Sequence, residues 1–192
     1  PKELADALPC DSESECLNAM EKLEAIFRKA VQQSIDEKLK GNTVIVYMGA
    51  ENSLYPISHR DLEEMKLAIG DIPSNCQVVV FQDAEQEPTI FHLTHKGLTI
   101  WKEYTTDLNS GAPATMKGIL QEIIKGFPSE KYSLVLWSHG SGWINNQSRA
   151  IIIDNQKNSW SNTGSWINIS DLNDILSTLP HMEYIMFDAC YM

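Results

Sequence analysis

Apolar residues follow two patterns along this chain of 192 residues. Short continuous apolar runs predict buried strands, and they lie at residues 43–48, 77–82, 134–137 and 184–187. Between them, apolar residues at helical spacing predict helices over residues 58–69, 113–125 and 170–179, the last capped by Ser170. Strands that alternate with helices in this way predict an α/β fold with a mainly parallel central sheet.

Two further segments complete the predicted organisation. Residues 13–40 carry apolar side chains at helical spacing and end before Gly41, so they predict an amphipathic N-terminal helix. We therefore expect an N-terminal segment over residues 1–40 and one main domain over residues 41–192. Residues 89–104 are rich in β-branched and aromatic residues and are interrupted by Lys96-Gly97, which predicts an antiparallel hairpin at one edge of the sheet. A short strand is predicted at residues 150–153.

Two of the predicted strands end on reactive side chains, His139 and Cys190. The carboxyl ends of parallel strands lie at one edge of a sheet, so we expect the imidazole and the thiol to share that edge. Their separation, 190 − 139 = 51, is close to the roughly 50 residues between the catalytic His and Cys of caspases. A thiol with a pKa of about 8.5 is mostly protonated at neutral pH, and a neighbouring His activates it.

The backbone beside these residues has the features of an oxyanion hole. Gly140 lets the main chain approach a substrate carbonyl, and its N–H and that of Cys190 would together stabilise the transition state by about 3 to 4 kcal/mol. Taken singly, His139 is more often a polar strand end, and Cys190 a small buried hydrophobe. Their joint occurrence at two strand ends favours a catalytic dyad. Ser138 and Asp154 lie near the same edge, with no role assigned.

Four segments resemble the clostripain family of cysteine endopeptidases. They occur in the family's order, at residues 43–54, 107–115, 132–143 and 187–192. The resemblance implies a caspase-like three-layer sandwich with helices on both faces, and cleavage after Arg or Lys by His139 and Cys190. It further implies that Asp188 lines the pocket for the basic side chain. The alternatives are a buried Asp188 bonded to backbone N–H groups and, for the whole protein, an inactive caspase-fold binding module.

Composition narrows the range of partners. The formal net charge is −11, from 15 basic and 26 acidic residues, which disfavours nucleic acid and anionic membranes. No apolar run reaches the length of a transmembrane span, and no signal peptide opens the sequence. The family resemblance implies an exported protein whose signal peptide is absent from this chain. Cys10 and Cys16 are close enough to pair after export, whereas Cys76 is predicted to lie in the core.

The sequence predicts no metal site. His92 and His95 are three residues apart in a predicted strand, so their side chains point to opposite faces, and a solvated strand is the simpler interpretation. Residues 140–142 lack the spaced glycines and the lysine of a phosphate-binding loop. Thiol chemistry requires no cofactor; the resemblance leaves calcium possible, and the sequence does not indicate it.

The end of the chain departs from the family pattern. The sequence stops at Met192, two residues after the thiol, whereas the family continues with further strands. We therefore expect an unpaired strand edge. Either the chain is one fragment of a cleaved protein and associates with a C-terminal fragment of the same protein, or the sequence is part of a longer chain. A preference for basic residues also predicts self-processing in the polar loop after His139. Lys157 is the preferred site, because Arg149 directly precedes the predicted strand.

Overall fold

The computed structural model describes residues 17, 20–28, 40–84, 87–141, 150–155 and 164–190. The chain divides into two compact units, Pro1–Leu39 and Lys40–Met192. In the first unit residues 20–28 are helical, within the predicted helix. The predicted end of that helix is wrong, because Lys40 already begins a strand and Gly41 lies inside it. The N–H of Gly41 donates to the carbonyl of Asn75 at 2.8 Å, a contact with another segment that local periodicity does not reveal.

The second unit alternates strands and helices as predicted. Its elements are β1 (Lys40–Gly49), α1 (Tyr55–Ala68), β2 (Cys76–Asp83), β3 (Thr89–Thr94), β4 (Gly97–Glu103), α2 (Pro113–Gly126), β5 (Ser129–Trp137), β6 (Ala150–Asp154), β7 (Ser165–Asn168), α3 (Ile169–Leu176) and β8 (Met182–Asp188). A short 3-10 turn over Ile69–Asp71 follows α1.

Six of the strands form one sheet in the order β4-β3-β2-β1-β5-β8. Strands β2, β1, β5 and β8 run parallel to one another, and β3 and β4 add the predicted antiparallel hairpin at one edge. Gly97 has a φ of 120°, a conformation that glycine adopts without steric cost, which explains why the chain turns there. Strands β6 and β7 form a separate antiparallel pair.

Helices cover both faces of the sheet, which confirms the three-layer sandwich. On β1 the buried Ile45 and Tyr47 belong to the core shared with α2 and α3. The alternating Val46 and Met48 belong to the core on the opposite face, together with Leu62 of α1. Side chains of successive strand residues point to opposite faces, so one apolar run supplies both cores.

Three local predictions need correction, and one strand was missed. Helix α3 begins at Ile169 rather than Ser170, because Asn168 caps it by accepting the N–H of Asp171 at 3.0 Å. Strand β7 was not predicted. Cys76 is half-buried rather than part of the core. His92 is not a solvated strand residue, since its Nε2 lies 2.8 Å from Oε1 of Gln77 in a partly buried contact.

Strand β8 lies at the other edge of the described sheet and is paired with β5. Three of its large side chains are exposed: Tyr184 at 48%, Met186 at 50% and Phe187 at 38%. None of the helices in the described part of the chain has both the length and the apolar character needed to cross a membrane.

Candidate active site

The register of β5 and β8 brings the predicted dyad to one edge of the sheet. These strands are parallel, and Trp137 is paired with Asp188. His139 and Cys190 each follow that pair by two residues. The N–H of Ser138 also donates to the carbonyl of Asp188 at 3.3 Å, which continues the pairing to the strand ends. Neighbouring strands lie about 4.8 Å apart, so the backbones that carry the imidazole and the thiol are adjacent.

His139 is held by a residue that the sequence analysis did not identify. Its Nε2 lies 2.8 Å from Oγ of Ser53, which follows the end of β1. Burial lowers the pKa of His139 from its ordinary value of 6.5. The imidazole is therefore neutral near pH 7, the state in which a ring nitrogen accepts a proton from a thiol.

The other predicted site residues are also close to this edge where the structure describes them. Cys190 is an exposed free thiol, and Gly140 directly follows the imidazole. Asp188 is exposed at the end of β8, unlike the buried carboxylate of the alternative interpretation. The processing candidates Lys157 and Arg149 lie outside the described residues, as do Cys10 and Cys16.

A hydrogen-bonded frame next to Ser53 and His139 joins three strand ends. The side-chain amide of Asn52 donates to the carbonyls of Gly49 at 3.0 Å and Ile153 at 2.8 Å. The hydroxyl of Ser138 donates to the same Gly49 carbonyl at 2.6 Å. Asn52 and Ser138 thus fix the ends of β1 and β5 to each other and to β6. The residues that follow them in sequence are Ser53 and His139.

Three buried carboxylates lie together near the ends of β1, β2 and β6. Glu51, Asp83 and Asp154 each place an oxygen within 4.8 Å of the others, close enough for one cation to contact all three. The N–H of Ser110 donates to Asp154 at 2.6 Å and to Asp83 at 3.2 Å.

Burial raises the pKa of Asp83 from 3.8 to about 8. The Ser110 hydrogen bond opposes this shift, and the charges of Asp154 and Glu51 add to it. A proton on Asp83 therefore relieves the repulsion among the three carboxylates at neutral pH.

We expect Asp83→Asn to flatten the pH dependence of folding stability. The folded protein holds the Asp83 proton up to about pH 8, whereas an unfolded chain releases it near pH 4. Because the folded state binds the extra proton between these values, this group lowers the free energy of unfolding as pH rises, by up to about 1.4 kcal/mol per pH unit. Asparagine still accepts the Ser110 hydrogen bond and has no proton to lose.

Thermal unfolding at several pH values between 5 and 8 measures the difference. Asp174→Asn is the matched control, because it removes an exposed carboxylate from α3. Parallel curves for the wild type and Asp83→Asn would contradict the assignment of the proton.

The structure adds residues that sequence reasoning missed. Ser53, Glu51 and Asp83 were given no role, although all three lie at or just after the carboxyl ends of β1 and β2. The available signal was the same rule that located His139, since polar residues at neighbouring parallel strand ends converge. Ser138 and Asp154, placed near the edge without a role, belong to the frame and the carboxylate cluster.

Several known proteins are similar to this chain in sequence or in fold. The sequence model of the clostripain family matches residues 46–192. Clostripain of Hathewaya histolytica is 22% identical over 196 residues, covering 85% of this chain and 37% of clostripain. A secreted C11 cysteine protease from Bacteroides thetaiotaomicron, solved with an irreversible peptide inhibitor, is 31% identical with a TM-score of 0.67. That match covers 79% of this chain and 43% of the protease.

An inactive zymogen of a C11 protease from Parabacteroides distasonis is also similar. It is 29% identical with a TM-score of 0.62, and the match covers 79% of this chain and 42% of the zymogen. The chain thus spans well under half the length of these relatives. The family match extends over both strands that carry the imidazole and the thiol. The chain belongs to the clostripain family of cysteine proteases.

Proposed function

We propose that this chain forms the catalytic part of a cysteine endopeptidase that cleaves after Arg or Lys. The observation that carries the proposal is the register of β5 and β8. Trp137 is paired with Asp188, and His139 and Cys190 each follow this pair by two residues. The exposed thiol is accessible to a peptide, and the half-buried imidazole contacts Ser53, which follows the end of the neighbouring strand β1.

In this proposal Cys190 attacks the carbonyl carbon of the scissile bond as a thiolate. His139 takes the thiol proton and passes it to the leaving amine, which yields a thioester that water then hydrolyses. The N–H groups of Gly140 and Cys190 donate to the oxyanion of the tetrahedral intermediate. Each step uses groups of the protein, the substrate and water, so the chemistry requires neither calcium nor another cofactor.

Asp188 supplies the preference for a basic residue in this proposal. It lies two residues before Cys190, at the exposed end of β8, and has one negative charge to offer a guanidinium or ammonium group. A charge-assisted hydrogen bond between this carboxylate and a cationic side chain is stronger than a bond between neutral groups, which makes the charge an effective selector.

We further propose that residues 41–192 form the catalytic domain, preceded by an N-terminal segment over residues 1–40. The exposed Tyr184 and Met186 on β8 are suited to cover by another strand or loop. We assign that role to a C-terminal part of the same protein, since the relatives are more than twice as long as the matched region. We also propose that the protein is exported, which the similarity to a secreted C11 protease supports.

Covalent labelling tests the proposed function. An Arg-directed inhibitor with a thiol-reactive group should label Cys190 and leave Cys76 unmodified. Of these two cysteines in the described part of the chain, Cys190 is the one that we propose lies beside a pocket for the basic side chain. Mass spectrometry of the digested protein locates the label. The matched control is the same inhibitor with Gln in place of Arg. Equal labelling of Cys190 and Cys76, or equal labelling by the Arg and Gln inhibitors, would instead support the inactive binding module.

Self-processing is expected after Lys157, in the stretch of sequence between β6 and β7. Incubation of the purified protein should produce a new N-terminus at Asn158, because Lys157 is basic and is flanked by polar residues in the sequence, whereas Arg149 directly precedes β6. N-terminal sequencing identifies the cut. The same product in Cys190→Ala would point to a contaminating protease, and a single uncut chain in the presence of hydrolytic activity would refute the processing site.

A further inference from the structure

Ser53 occupies a defined place beside the imidazole that the peptidase proposal does not explain. Its Oγ lies 2.8 Å from Nε2 of His139. Neither residue is at a strand interior, so a rigid support is needed to keep this distance. The support is the pair that directly precedes them in sequence, Asn52 and Ser138.

The supporting pair is tied together by several hydrogen bonds. Asn52 and Ser138 both donate to the carbonyl of Gly49, at 3.0 and 2.6 Å. Asn52 also accepts the N–H of Leu54 at 2.9 Å, which closes a tight turn around Ser53. On the other side, the N–H of Ile153 donates to the Ser138 hydroxyl at 3.3 Å.

Strand β6 also packs closely against the end of β1, where Asn52 and Ser138 are bonded to Gly49. A Cβ added at Gly49 would lie 2.5 Å from Cγ2 of Ile152, so only glycine fits where β1 meets β6. Ser53 and His139 therefore both follow residues that are bonded to the same Gly49 carbonyl, which holds their backbones close together.

We propose that Ser53 is the positioning residue of His139, with its hydroxyl oxygen accepting the Nε2–H. This inference rests on the proposed role of His139. An acceptor at Nε2 leaves the lone pair of the neutral ring on Nδ1, which is then the atom that takes the thiol proton. The imidazolium that forms keeps its Nε2–H bonded to Ser53. The Nδ1 proton then passes to the leaving amine, so the proton balance closes without another group.

The test compares Ser53→Ala with Ser53→Thr, which keeps a hydroxyl on the same carbon. NMR titration of the His139 ring is the first measurement, and it does not depend on peptidase activity. Alanine removes an acceptor that favours the charged ring, so the pKa of His139 should fall, while threonine should retain the wild-type value. Ser177→Ala is the control, because it removes an exposed hydroxyl that bonds only a carbonyl of α3.

Kinetics with a peptide amide ending in Arg is the second measurement. We expect Ser53→Ala to lower kcat by about 10- to 100-fold with little change in KM, because a misplaced ring affects the reaction more than binding. The limb of the pH–rate profile that reports the ionisation of His139 should move to lower pH. Ser53→Thr should restore both the wild-type kcat and the wild-type pH profile. Ser53 is exposed, so the core is unaffected, and thermal unfolding confirms that the variants are folded.

Two results would overturn the inference. One is an unchanged His139 pKa in Ser53→Ala, and the other is a loss of kcat that threonine does not restore. Failure of the peptidase proposal looks different, because the wild type would then show no hydrolysis that depends on Cys190, while the titration still reports on the Ser53 contact.

Discussion

Cys190→Ala is expected to reduce hydrolysis of a peptide amide ending in Arg or Lys by at least about 10⁴-fold. Alanine cannot form the thioester, and the remaining imidazole and backbone donors would act only on an unactivated water. The thiol is exposed at the strand end, so its replacement leaves the buried core unchanged. Release of the amine, followed at saturating substrate, measures the loss.

Cys76→Ala is the matched control for this exchange. It removes the other described free thiol, which is half-buried at the start of β2 and remote in sequence from the dyad edge. We expect it to retain wild-type activity. A Cys190→Ala protein with a substantial fraction of wild-type activity would exclude Cys190 as the nucleophile.

Asp188→Asn is expected to remove most of the preference for a basic side chain. A charge-assisted hydrogen bond contributes about 1.5 to 3 kcal/mol, so the ratio of kcat/KM for Arg over Gln substrates should fall by roughly 10- to 150-fold. Asparagine is nearly the same size, so the change isolates the charge. The measurement is kcat/KM for two peptides that differ only at that residue.

The control for Asp188 is again Asp174→Asn, which makes the same change in net charge on the exposed surface of α3. It should leave the ratio unchanged, since a distant surface charge is screened by salt. An unaltered ratio in Asp188→Asn would show that the selecting acid is elsewhere in the protein.

The strands that the sequence revealed are those with continuous apolar runs. Strand β2 is a clear case, because Val79, Val80 and Phe81 are fully buried and the run has no polar interruption. Strand β7 was missed because it has four residues, two of them polar, and it exists through its pairing with β6. Such pairing is a non-local property that no short window of sequence contains.

The same distinction explains which parts of the candidate site were found. His139 and Cys190 each terminate an apolar run, so a local pattern marks them. Ser53 lies in a polar turn with no apolar pattern beside it, and its meaning depends on a residue 86 positions away. Asp83 ends a strand in sequence, but only the fold shows that Asp154 lies next to it. Contacts between distant segments therefore account for what the sequence left out.

The parallel pairing of β5 with β8 also determines when, during synthesis, the two proposed catalytic residues are brought together. Parallel neighbours require a long crossover, here residues 138–181, before their ends can meet. During synthesis from the N-terminus, the imidazole strand leaves the ribosome well before the thiol strand. An unfinished chain therefore carries His139 without Cys190, and the two proposed catalytic residues come together only after β8 has been made and has paired with β5.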